Sequence, residues 1–548
     1  MKRQAEVLLQ QALERAAAAG ALKTTDWPTL VFEVPKDNKL GDLACTIAMA
    51  LARAERRAPR AIAEDIVRHI EDRDGLFEGI EIAGVGYINL RFSPSYWRQC
   101  IQAAGTPAHG PRAFGAGKTV LVEFVSANPT GPLTVGHGRN AILGDAIARL
   151  LEATGHQVTR EYYFNNAGRQ MMVLGESVKA RYCEQIGVEH PFPEGGYQGE
   201  YISTIASGLV QQHGSSLRDE PAKGAFKRAA EAAIFADIKQ TLERMSIRFD
   251  SYFNEDSLYE DGSVEKSLQE LRARDLAFDH EGAVWLRGEA LGLDKDRVLV
   301  KSSGEPAYRL PDIAYHQNKL RRGYDLCVDV LGADHIAEHQ EVRAALSGLG
   351  LDPSSIKAII YQFVTLTRGG VQVKMSTRRA EYVTVDELLD EIGSDVVRFF
   401  FLTRKADTHL EFDLDLARKQ SSDNPVFYVQ YAHARISSVE KQVANFLVAQ
   451  DPDEKFLERL SAEEEIAVVR LIAQYPDIVE DAARALEPHR IIFYLVELAA
   501  EFHRFYNRHR ILADDAEINA ARLSLCRATR SIIRQGLALL GVAAPETM

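Results

Sequence analysis

One stretch of the chain, LVEFVSANPTGPLTVGHGRNAILGDAIARLLEATG at residues 121–155, restricts the possible folds more than any other. It begins with an apolar run, without polar alternation, that is typical of a parallel strand covered on both faces. A loop rich in Pro and Gly follows, and then apolar residues recur on one helical stripe that stops at Gly155. Strand, loop and helix in this order form the opening unit of a doubly wound parallel sheet.

The length of 548 residues allows roughly three or four domains. We predict an α/β fold with a doubly wound, Rossmann-type domain at residues 113–420, interrupted by a polar insertion at about 183–304. Helical stripes and short strand-like runs indicate an N-terminal α+β domain at residues 1–112. The Pro- and Gly-rich residues 105–118 predict a linker. Strand-like runs cease after residue 420, which predicts a C-terminal helical bundle at residues 421–548.

Composition excludes several classes of protein. The five cysteines have no close pair, so we expect neither a disulfide framework nor a zinc knuckle, and we predict no structural metal site. Glu6 and Glu14 interrupt any signal peptide, and no uncharged run reaches membrane-spanning length. We therefore expect a cytoplasmic protein without membrane contact. A formal charge of −13 argues against indiscriminate binding of polyanions but leaves room for a local basic surface.

The loop SANPTGPLTVGH is suited to bind a phosphate. Ligands of open parallel sheets bind beyond the carboxyl ends of the strands, where a helix presents unpaired amides and the positive end of its dipole. Gly131 and Gly136 let the backbone approach a ligand closely, and His137 lies at the start of the helix. The alternative is a capped turn with a structural histidine.

The segment ANPTGPLTVGHGRNAILGD resembles the ATP signature of class I aminoacyl-tRNA synthetases, and more narrowly that of arginyl-tRNA synthetases. The resemblance implies that His137 is catalytic. Thr134 stands where the family usually has a first histidine, and its hydroxyl can donate a hydrogen bond but brings no positive charge. The implied ATP-binding residues of this segment are Ala127, Asn128, Pro129, Thr130, Gly131, Pro132, Leu133, Thr134, Val135, Gly136, His137 and Asn140.

A second segment, VKMSTRRAEYVTVDELL, resembles the mobile phosphate loop of the same family. The resemblance implies ATP contacts from Lys374, Met375 and Ser376, with Lys374 and Arg378 as catalytic cations. Thr377 replaces the second lysine of the general pattern, and Arg378 or Arg379 is expected to supply its charge, although the arginine fork is not equivalent to the lysine point charge. By itself, a basic run at the start of a helix is usually a solvated face.

A site for arginine needs carboxylates for the guanidinium and an aromatic wall. The segment KSSGEPAYRLPDIAYHQNKL offers Tyr308, Asp312 and Tyr315, and the first two are spaced like one helical turn. The resemblance implies that Tyr308 and Asp312 bind the guanidinium, while Glu123 and Asn128 bind the other polar groups of the amino acid. Each of these residues also has a structural alternative: Tyr308 as a core residue, Asp312 as a helix cap, Asn128 in an Asx-turn and Glu123 as a paired buried acid. An isolated acid in an apolar strand, such as Glu123, requires a cation.

The segment VLGADHIAEH allows two interpretations. His335, Glu338 and His339 have the His-x-x-Glu-His spacing of one class of zinc peptidase. The favoured interpretation is that the GADH tetrapeptide follows a parallel strand and lines the same pocket as the phosphate loop, as in the family that it resembles. A peptidase would give no reason for two phosphate loops.

Both ends of the chain resemble tRNA-binding parts of the family. The last helices interleave aromatic and basic residues, which suits unstacked bases, although a bundle with ordinary charged faces explains them too. This region resembles the anticodon-binding domain, and the implied tRNA contacts are Arg504, Tyr506, Asn507 and Arg508. The segment KDNKLGDLACTIAMALAR resembles the additional domain that contacts the tRNA elbow.

The resemblance as a whole implies a ligase that uses ATP and Mg²⁺ to activate L-arginine and then transfers it to the 2′-hydroxyl of the terminal adenosine of tRNA(Arg). Members of this family typically activate arginine only with tRNA bound, and we expect a monomer. Two alternatives stay open. One is a related synthetase for another amino acid, such as cysteine, and the other is a tRNA-binding regulatory protein of the same fold that lacks catalysis.

Overall fold

The computed structural model describes residues 1–166, 168–373, 383–444 and 454–548. The N-terminal unit is a four-stranded antiparallel sheet in the order β1-β2-β4-β3, covered by helices. Its elements are α1 (Lys2–Ala18), β1 (Phe32–Glu33), β2 (Leu43–Cys45), α2 (Ile47–Glu55), α3 (Pro59–Arg68), β3 (Phe77–Ala83), β4 (Tyr87–Phe92) and α4 (Pro94–Ala103).

The central unit contains the parallel sheet that the sequence predicts. Its elements are β5 (Thr119–Glu123), α5 (Val135–Ala153), β6 (Gln157–Phe164), α6 (Arg169–Gln185), α7 (Glu200–His213), α8 (Ala225–Arg244), β7 (Ser251–Asn254), α9 (Asp256–Glu260), α10 (Ser263–Ala273), β8 (Ala277–His280), β9 (Ala283–Leu286), β10 (Arg297–Val300), α11 (Arg309–Arg321), β11 (Leu326–Gly332), α12 (Ile336–Gly348), β12 (Ile356–Tyr361), β13 (Val364–Arg368), β14 (Val371–Gln372), α13 (Val385–Ile392), α14 (Ser394–Phe401), β15 (Leu410–Asp413) and α15 (Leu414–Arg418).

The parallel sheet has the strand order β12-β11-β5-β6-β7. From β5 the chain continues to β6 and β7 on one side and later returns to β11 and β12 on the other side. The strand order therefore reverses between β5 and β11, and the crevice for a ligand opens at the carboxyl ends of these two strands. This topology confirms the predicted doubly wound fold.

The opening strand–loop–helix unit forms because nearly every side chain in it is buried. The strand β5 is covered on both faces, and α5 packs against it and its two neighbouring strands β6 and β11. Gly144 allows the close approach, since a Cβ atom there would lie 2.2 Å from Cγ of Phe124. The helix therefore begins at a fixed position relative to the end of β5.

The prediction that residues 183–304 form an insertion is wrong for part of this span. Residues 251–254 form β7, which pairs in parallel with β6 as the edge strand of the main sheet. This strand has four residues with alternating exposure, so its sequence lacks the apolar run that identifies a central parallel strand. The rest of the span contributes the helices α7 and α8 and a separate antiparallel sheet in the order β10-β9-β8.

The C-terminal unit is helical, as predicted. Its described helices are α16 (Pro425–Ala444), α17 (Glu454–Leu457), α18 (Glu463–Ala485), α19 (His489–Arg508) and α20 (Ala516–Leu539). The helix α19 buries one apolar stripe, formed by Ile491, Ile492, Leu495, Ala499 and Phe502.

The N-terminal unit docks on the C-terminal unit. The helix α4 packs against α18, and Asp42 accepts a hydrogen bond from Arg470, with 3.0 Å between Oδ1 and Nε. The predicted linker is packed in the same interface, because the His109 ring lies 2.8 Å from the carbonyl oxygen of Ile472 and Arg112 pairs with Glu480. The linker therefore contacts the C-terminal unit, in addition to connecting the N-terminal and central units along the chain.

A buried arginine connects the central unit to the end of α20. Arg398 on α14 is 0% exposed and donates hydrogen bonds to the carboxylate of Asp145 on α5 at 2.5 Å, to the Met245 carbonyl at 2.7 Å and to the Leu540 carbonyl at 2.8 Å. Gly541 has a φ of +67°, and a Cβ atom there would meet the guanidinium at 2.2 Å.

All five cysteines are free and buried. Within the described part of the chain, no helix has the length and apolar character needed to span a membrane.

Candidate active site

A cavity of about 700 Å³ opens at the carboxyl ends of β5 and β11. It brings together most of the described residues that the sequence analysis assigned to ATP or arginine. Those that line it are Glu123, Ala127, Asn128, Thr134, Val135, Gly136, His137, Asn140, Tyr308, Asp312 and Tyr315. Of the same ATP segment, Pro129, Thr130, Gly131, Pro132 and Leu133 are not among the lining residues, and the Thr130 carbonyl accepts a hydrogen bond from Tyr201 on α7 at 2.5 Å.

His137 lies in the first turn of α5 and is held by the residue that precedes this helix. The backbone N–H of Thr134 donates to Nδ1 of His137 over 3.2 Å. Because an amide N–H can only donate, Nδ1 is the acceptor and the ring proton lies on Nε2. Burial lowers the pKa of His137 to about 4, so the ring is neutral at physiological pH. The site therefore offers an N–H donor at the helix start without a formal positive charge.

Asn140 connects two strands at this cavity. Its Oδ1 accepts a hydrogen bond from the Val125 N–H at 2.6 Å, and its Nδ2 donates to the Val330 carbonyl at 2.9 Å. It thus joins the end of β5 to the end of β11. Val125 and Ser126 have φ values of +65° and +41°, a conformation that a β-branched residue rarely adopts. Asn140 holds this strained turn in place.

Glu123, the last residue of β5, is a paired buried acid. Its carboxylate accepts hydrogen bonds from the ammonium group of Lys319 and, at 2.9 Å, from the hydroxyl of Ser126. The same ammonium donates to Oδ1 of Asp329 at 2.6 Å, and Asp329 faces Glu123 in the register of β11 and β5. The predicted need for a cation is thereby met within the protein, while Glu123 still lines the cavity.

Asp312 faces the cavity from the first turn of α11 without any cationic partner among the described residues. Burial and the nearby carboxylates of Glu338, Glu255 and Glu123 raise the pKa of Asp312 well above its usual range. Burial and the charge of Asp256 also raise the pKa of Glu255 to about 7. The charged forms of these two carboxyls are therefore disfavoured while the cavity is empty, and a cationic ligand would stabilise them.

The two predicted aromatic residues are placed differently. Tyr308 is 57% exposed and lines the cavity, so it is not a core residue. Tyr315 is buried, and its hydroxyl donates to Glu161 at 2.7 Å, which leaves only its ring for the cavity. The side chain of Asn128 is exposed and donates to Gln170 at 2.9 Å.

The His-x-x-Glu-His segment does not form a metal site. His335 is exposed, and its Nδ1 lies 3.3 Å from Glu338, whereas His339 is buried and lies 3.8 Å from Asp329. No group of three His, Cys, Asp or Glu side chains suited to a metal ion occurs in the described ranges. The geometry favours the second interpretation, since His335, Glu338 and His339 all line the same cavity as the phosphate loop.

The predicted residues Lys374, Met375, Ser376 and Arg378 lie outside the described residues. The described chain that follows them contacts the first motif directly. The Val385 N–H donates to the Leu133 carbonyl at 2.9 Å, and Thr384 forms a β-bridge with Thr134. The start of α13 is therefore fixed beside the start of α5.

The four predicted tRNA contacts lie at the end of α19, in a part of the sequence far from the residues that line this cavity. Arg504 and Arg508 pair with Glu501 and Glu464, and Asn507 is exposed. Tyr506 takes part in a stack in which the guanidinium of Arg435 lies 4.6 Å from the ring centroids of both Tyr506 and Tyr431. Tyr431 and Arg435 are on α16, and the sequence analysis did not identify them.

Sequence reasoning also missed Glu255, Lys319 and Asp329. Lys319 reads as a basic residue in the last turn of a helix, which usually interacts with the helix dipole. Asp329 is an isolated acid in an apolar strand, the same signal that identified Glu123. Glu255 follows the edge strand β7 and gave no signal.

Comparisons with known proteins agree with this architecture. The chain matches three family models, described as the arginyl tRNA synthetase N terminal domain at residues 3–92, the catalytic domain of class I (R) tRNA synthetases at 108–400 and the DALR anticodon binding domain at 429–548. It is 48% identical to an arginine–tRNA ligase of Desulfotalea psychrophila, with 100% of both chains covered. It is 47% identical to that of Chlorobium limicola, over 97% of this chain and 98% of the relative.

The solved structure of Thermus thermophilus arginyl-tRNA synthetase has the same fold, with a TM-score of 0.77 at 23% identity, over 99% of this chain and 100% of that chain. The resemblance noted in the two signature segments is thus confirmed over the full length. The chain belongs to the arginine–tRNA ligase family of class I aminoacyl-tRNA synthetases.

Proposed function

We propose that the cavity at the ends of β5 and β11 binds L-arginine and ATP side by side and forms arginyl-adenylate there. The observation that carries this proposal is the group of carboxylates around Asp312, which lies in the same cavity as a helix start suited to phosphate. A guanidinium would supply the missing positive charge, and the amides of α5 would receive the phosphates.

In this proposal Asp312 binds the guanidinium, Tyr308 covers it at the open side, and Glu123 receives the α-ammonium group. The arginine carboxylate then attacks the α-phosphorus of ATP, and the bond to pyrophosphate breaks. No covalent enzyme intermediate is required, because positioning and charge stabilisation supply the rate enhancement. The 2′-hydroxyl of the terminal adenosine of tRNA(Arg) next attacks the adenylate carbonyl, and AMP leaves.

His137 contributes to the first step as a neutral donor. With Nδ1 occupied by the Thr134 N–H, its Nε2–H is available to a phosphate oxygen. The proposal assigns the positive charge of the transition state to Lys374 and Arg378, which the sequence resemblance implies and which lie outside the described residues.

We propose that Mg²⁺ enters with ATP. The described protein contains no cluster of three metal-ligating side chains, and Mg²⁺ commonly keeps its waters and binds mainly to substrate phosphates. Bound in this way it would neutralise charge on the leaving pyrophosphate.

The surface formed by Tyr431, Arg435 and Tyr506 is proposed to contact tRNA. Aromatic rings that are at least partly exposed and stacked on a guanidinium suit unstacked bases. The match to an anticodon binding domain over residues 429–548 supports this assignment. A monomeric state and a cytoplasmic location stay predictions.

The proposed function is tested by ATP–pyrophosphate exchange with arginine, measured with and without tRNA(Arg), and by aminoacylation with each of the standard amino acids. We expect charging with arginine alone and exchange that requires tRNA. Charging with another amino acid, or no exchange under either condition, would contradict the proposal.

A further inference from the structure

A lysine that lies behind the proposed amino-acid site has no role in the chemistry described so far. Lys319 is on α11, two helical turns after Asp312, and its side chain is 0% exposed. Its ammonium group lies between Glu123 and Asp329 and 4.5 Å from the centroid of the Tyr315 ring. A fully buried ammonium is costly unless it is paired, so this position has a specific reason.

We infer that Lys319 is a positioning residue for amino-acid binding, which fixes the Glu123 carboxylate in the orientation that receives the α-ammonium group of arginine. The inference rests on the proposed function, because it needs Glu123 to be a ligand of the substrate. It goes beyond that function, because Lys319 does not line the cavity and would act only through Glu123.

The geometry around Glu123 supports this role of Lys319. Glu123 is at the end of β5, where its carboxylate has two donors, the ammonium of Lys319 and the hydroxyl of Ser126. Lys319 is in turn fixed by Asp329 on the neighbouring strand β11. The carboxylate therefore has little rotational freedom before any ligand arrives, and preorganisation of this kind lowers the entropic cost of binding.

The net charge of the buried group supports the same role. Two carboxylates share one ammonium group, so the trio of Glu123, Lys319 and Asp329 carries one net negative charge. Burial opposes the charged form of Lys319, but Asp329 and Glu123 outweigh it and hold the pKa of Lys319 above its usual value. The remaining negative charge matches the single positive charge of an α-ammonium group.

Other titratable groups surround the trio, and any pH effect has to be read against them. The elements packed around it contribute Glu161, Asp312, Tyr315, His316, Arg322, Cys327 and His339. Of these, His316 lies closest, with its Nε2 at 3.1 Å from Oδ2 of Asp329 and its Nδ1 at 2.8 Å from the Asp312 carbonyl.

Aminoacylation kinetics of Lys319→Met test the inference, with Arg398→Met as the matched control. Both variants remove a fully buried cation, but Arg398 pairs with Asp145 and does not line the cavity. We expect Lys319→Met to raise the KM for arginine at least about 20-fold and the KM for ATP less than about threefold. Lys319→Arg should restore the KM for arginine to within about fivefold of wild type.

An analogue makes the test specific for the α-ammonium group. The compound 5-guanidinopentanoate is arginine without its α-amino group, so Glu123 has nothing to bind in it. Its inhibition constant against arginine should change less than about threefold between wild type and Lys319→Met. Equal increases for arginine and for this analogue would mean that Lys319 supports the fold only, and would overturn the inference.

The pH dependence gives an independent readout. Without Lys319, Glu123 and Asp329 become neighbouring carboxylates whose like charges favour protonation of one of the two, and a higher pH favours the charged form of both. The KM of the variant for arginine should therefore fall as the pH rises from about 6.5 to 8.5, more steeply than that of wild type. Equal slopes would contradict the inference.

Should Lys319→Met fail to fold, the double variant Lys319→Met/Asp329→Asn leaves Glu123 as a single unpaired carboxylate. It should keep the raised KM for arginine and lose the additional pH dependence. A normal KM in this variant, or the same arginine-selective defect in Arg398→Met, overturns the inference. A wild-type chain that fails to charge tRNA(Arg) with arginine overturns the proposed function itself, and this outcome is visible before any variant is compared.

Discussion

Replacing Asp312 by asparagine removes one negative charge from the cavity and leaves the size of the side chain almost unchanged. Loss of one partner of a desolvated charge pair costs about 2–5 kcal/mol. The carboxyls of Glu255 and Glu338, whose charges act on Asp312, remain in this variant, so we adopt about 3 kcal/mol, which corresponds to a KM for arginine about 150-fold above that of wild type. The KM for ATP should stay within about threefold of wild type.

The assay is aminoacylation of tRNA(Arg) at saturating ATP and tRNA, with arginine varied. Asp334→Asn is the matched control, because Asp334 lines the same cavity but is exposed and lies 3.7 Å from His335. It should raise the KM for arginine less than about threefold. An unchanged KM for arginine in Asp312→Asn would mean that the guanidinium binds elsewhere. An equal increase of this KM in both variants would indicate that the general negative charge of the cavity, and not a specific contact with Asp312, attracts arginine.

The same substitution should stabilise the protein without arginine. Burial and neighbouring carboxylates raise the pKa of Asp312, so the folded state binds this proton more tightly than the unfolded state does. The stabilising contribution is complete below the unfolded pKa of about 4 and is lost as the pH rises through the folded pKa. At neutral pH the raised pKa of Asp312 therefore destabilises the folded wild type. Asp312→Asn removes this effect and should melt at a higher temperature; a lower melting temperature would refute the reasoning.

Three further predictions concern other parts of the molecule. Because burial lowers the pKa of His137 to about 4, wild type and His137→Asn should show the same pH dependence of ATP affinity between about pH 6 and 8, measured by calorimetry; an extra transition in wild type would contradict a neutral ring. Arg398→Met should lower stability by about 3–5 kcal/mol in urea unfolding, because Asp145 loses a buried partner, whereas the exposed Arg404→Met should change it by less than about 0.5 kcal/mol. Tyr506→Ala should weaken tRNA binding about 5- to 150-fold in a filter-binding assay without changing arginine-independent ATP affinity; unchanged tRNA binding would remove this stack from the interface.

The fold could be predicted where each element carries its own periodic signal. The strand β5, the helix α5 and the stripe of α19 are buried on the faces that their apolar residues indicate. The edge strand β7 could not be predicted, because a half-exposed strand of four residues is indistinguishable from a polar loop. What identifies it is pairing with β6, a long-range contact that the local sequence does not encode.

The candidate site likewise contains residues that could be predicted from the sequence and residues that could not. His137, Tyr308 and Asp312 belong to short segments whose family resemblance is readable, whereas Lys319 is 196 residues from its partner Glu123. A lysine on a helix is normally solvated, so only the packing of α11 against β5 and β11 turns it into a buried cation. The need of Glu123 for a positive charge could be predicted, but the residue that supplies it could not.

The docking of α4 on α18 has a consequence during synthesis. From the end of α4 at Ala103 to the start of α18 at Glu463 the ribosome must add 360 residues. At about 5–20 residues per second this takes about 20–70 s, during which Trp97 and its apolar neighbours have no cover from α18. The nascent N-terminal unit therefore carries an uncovered apolar surface that a chaperone can bind while translation is under way.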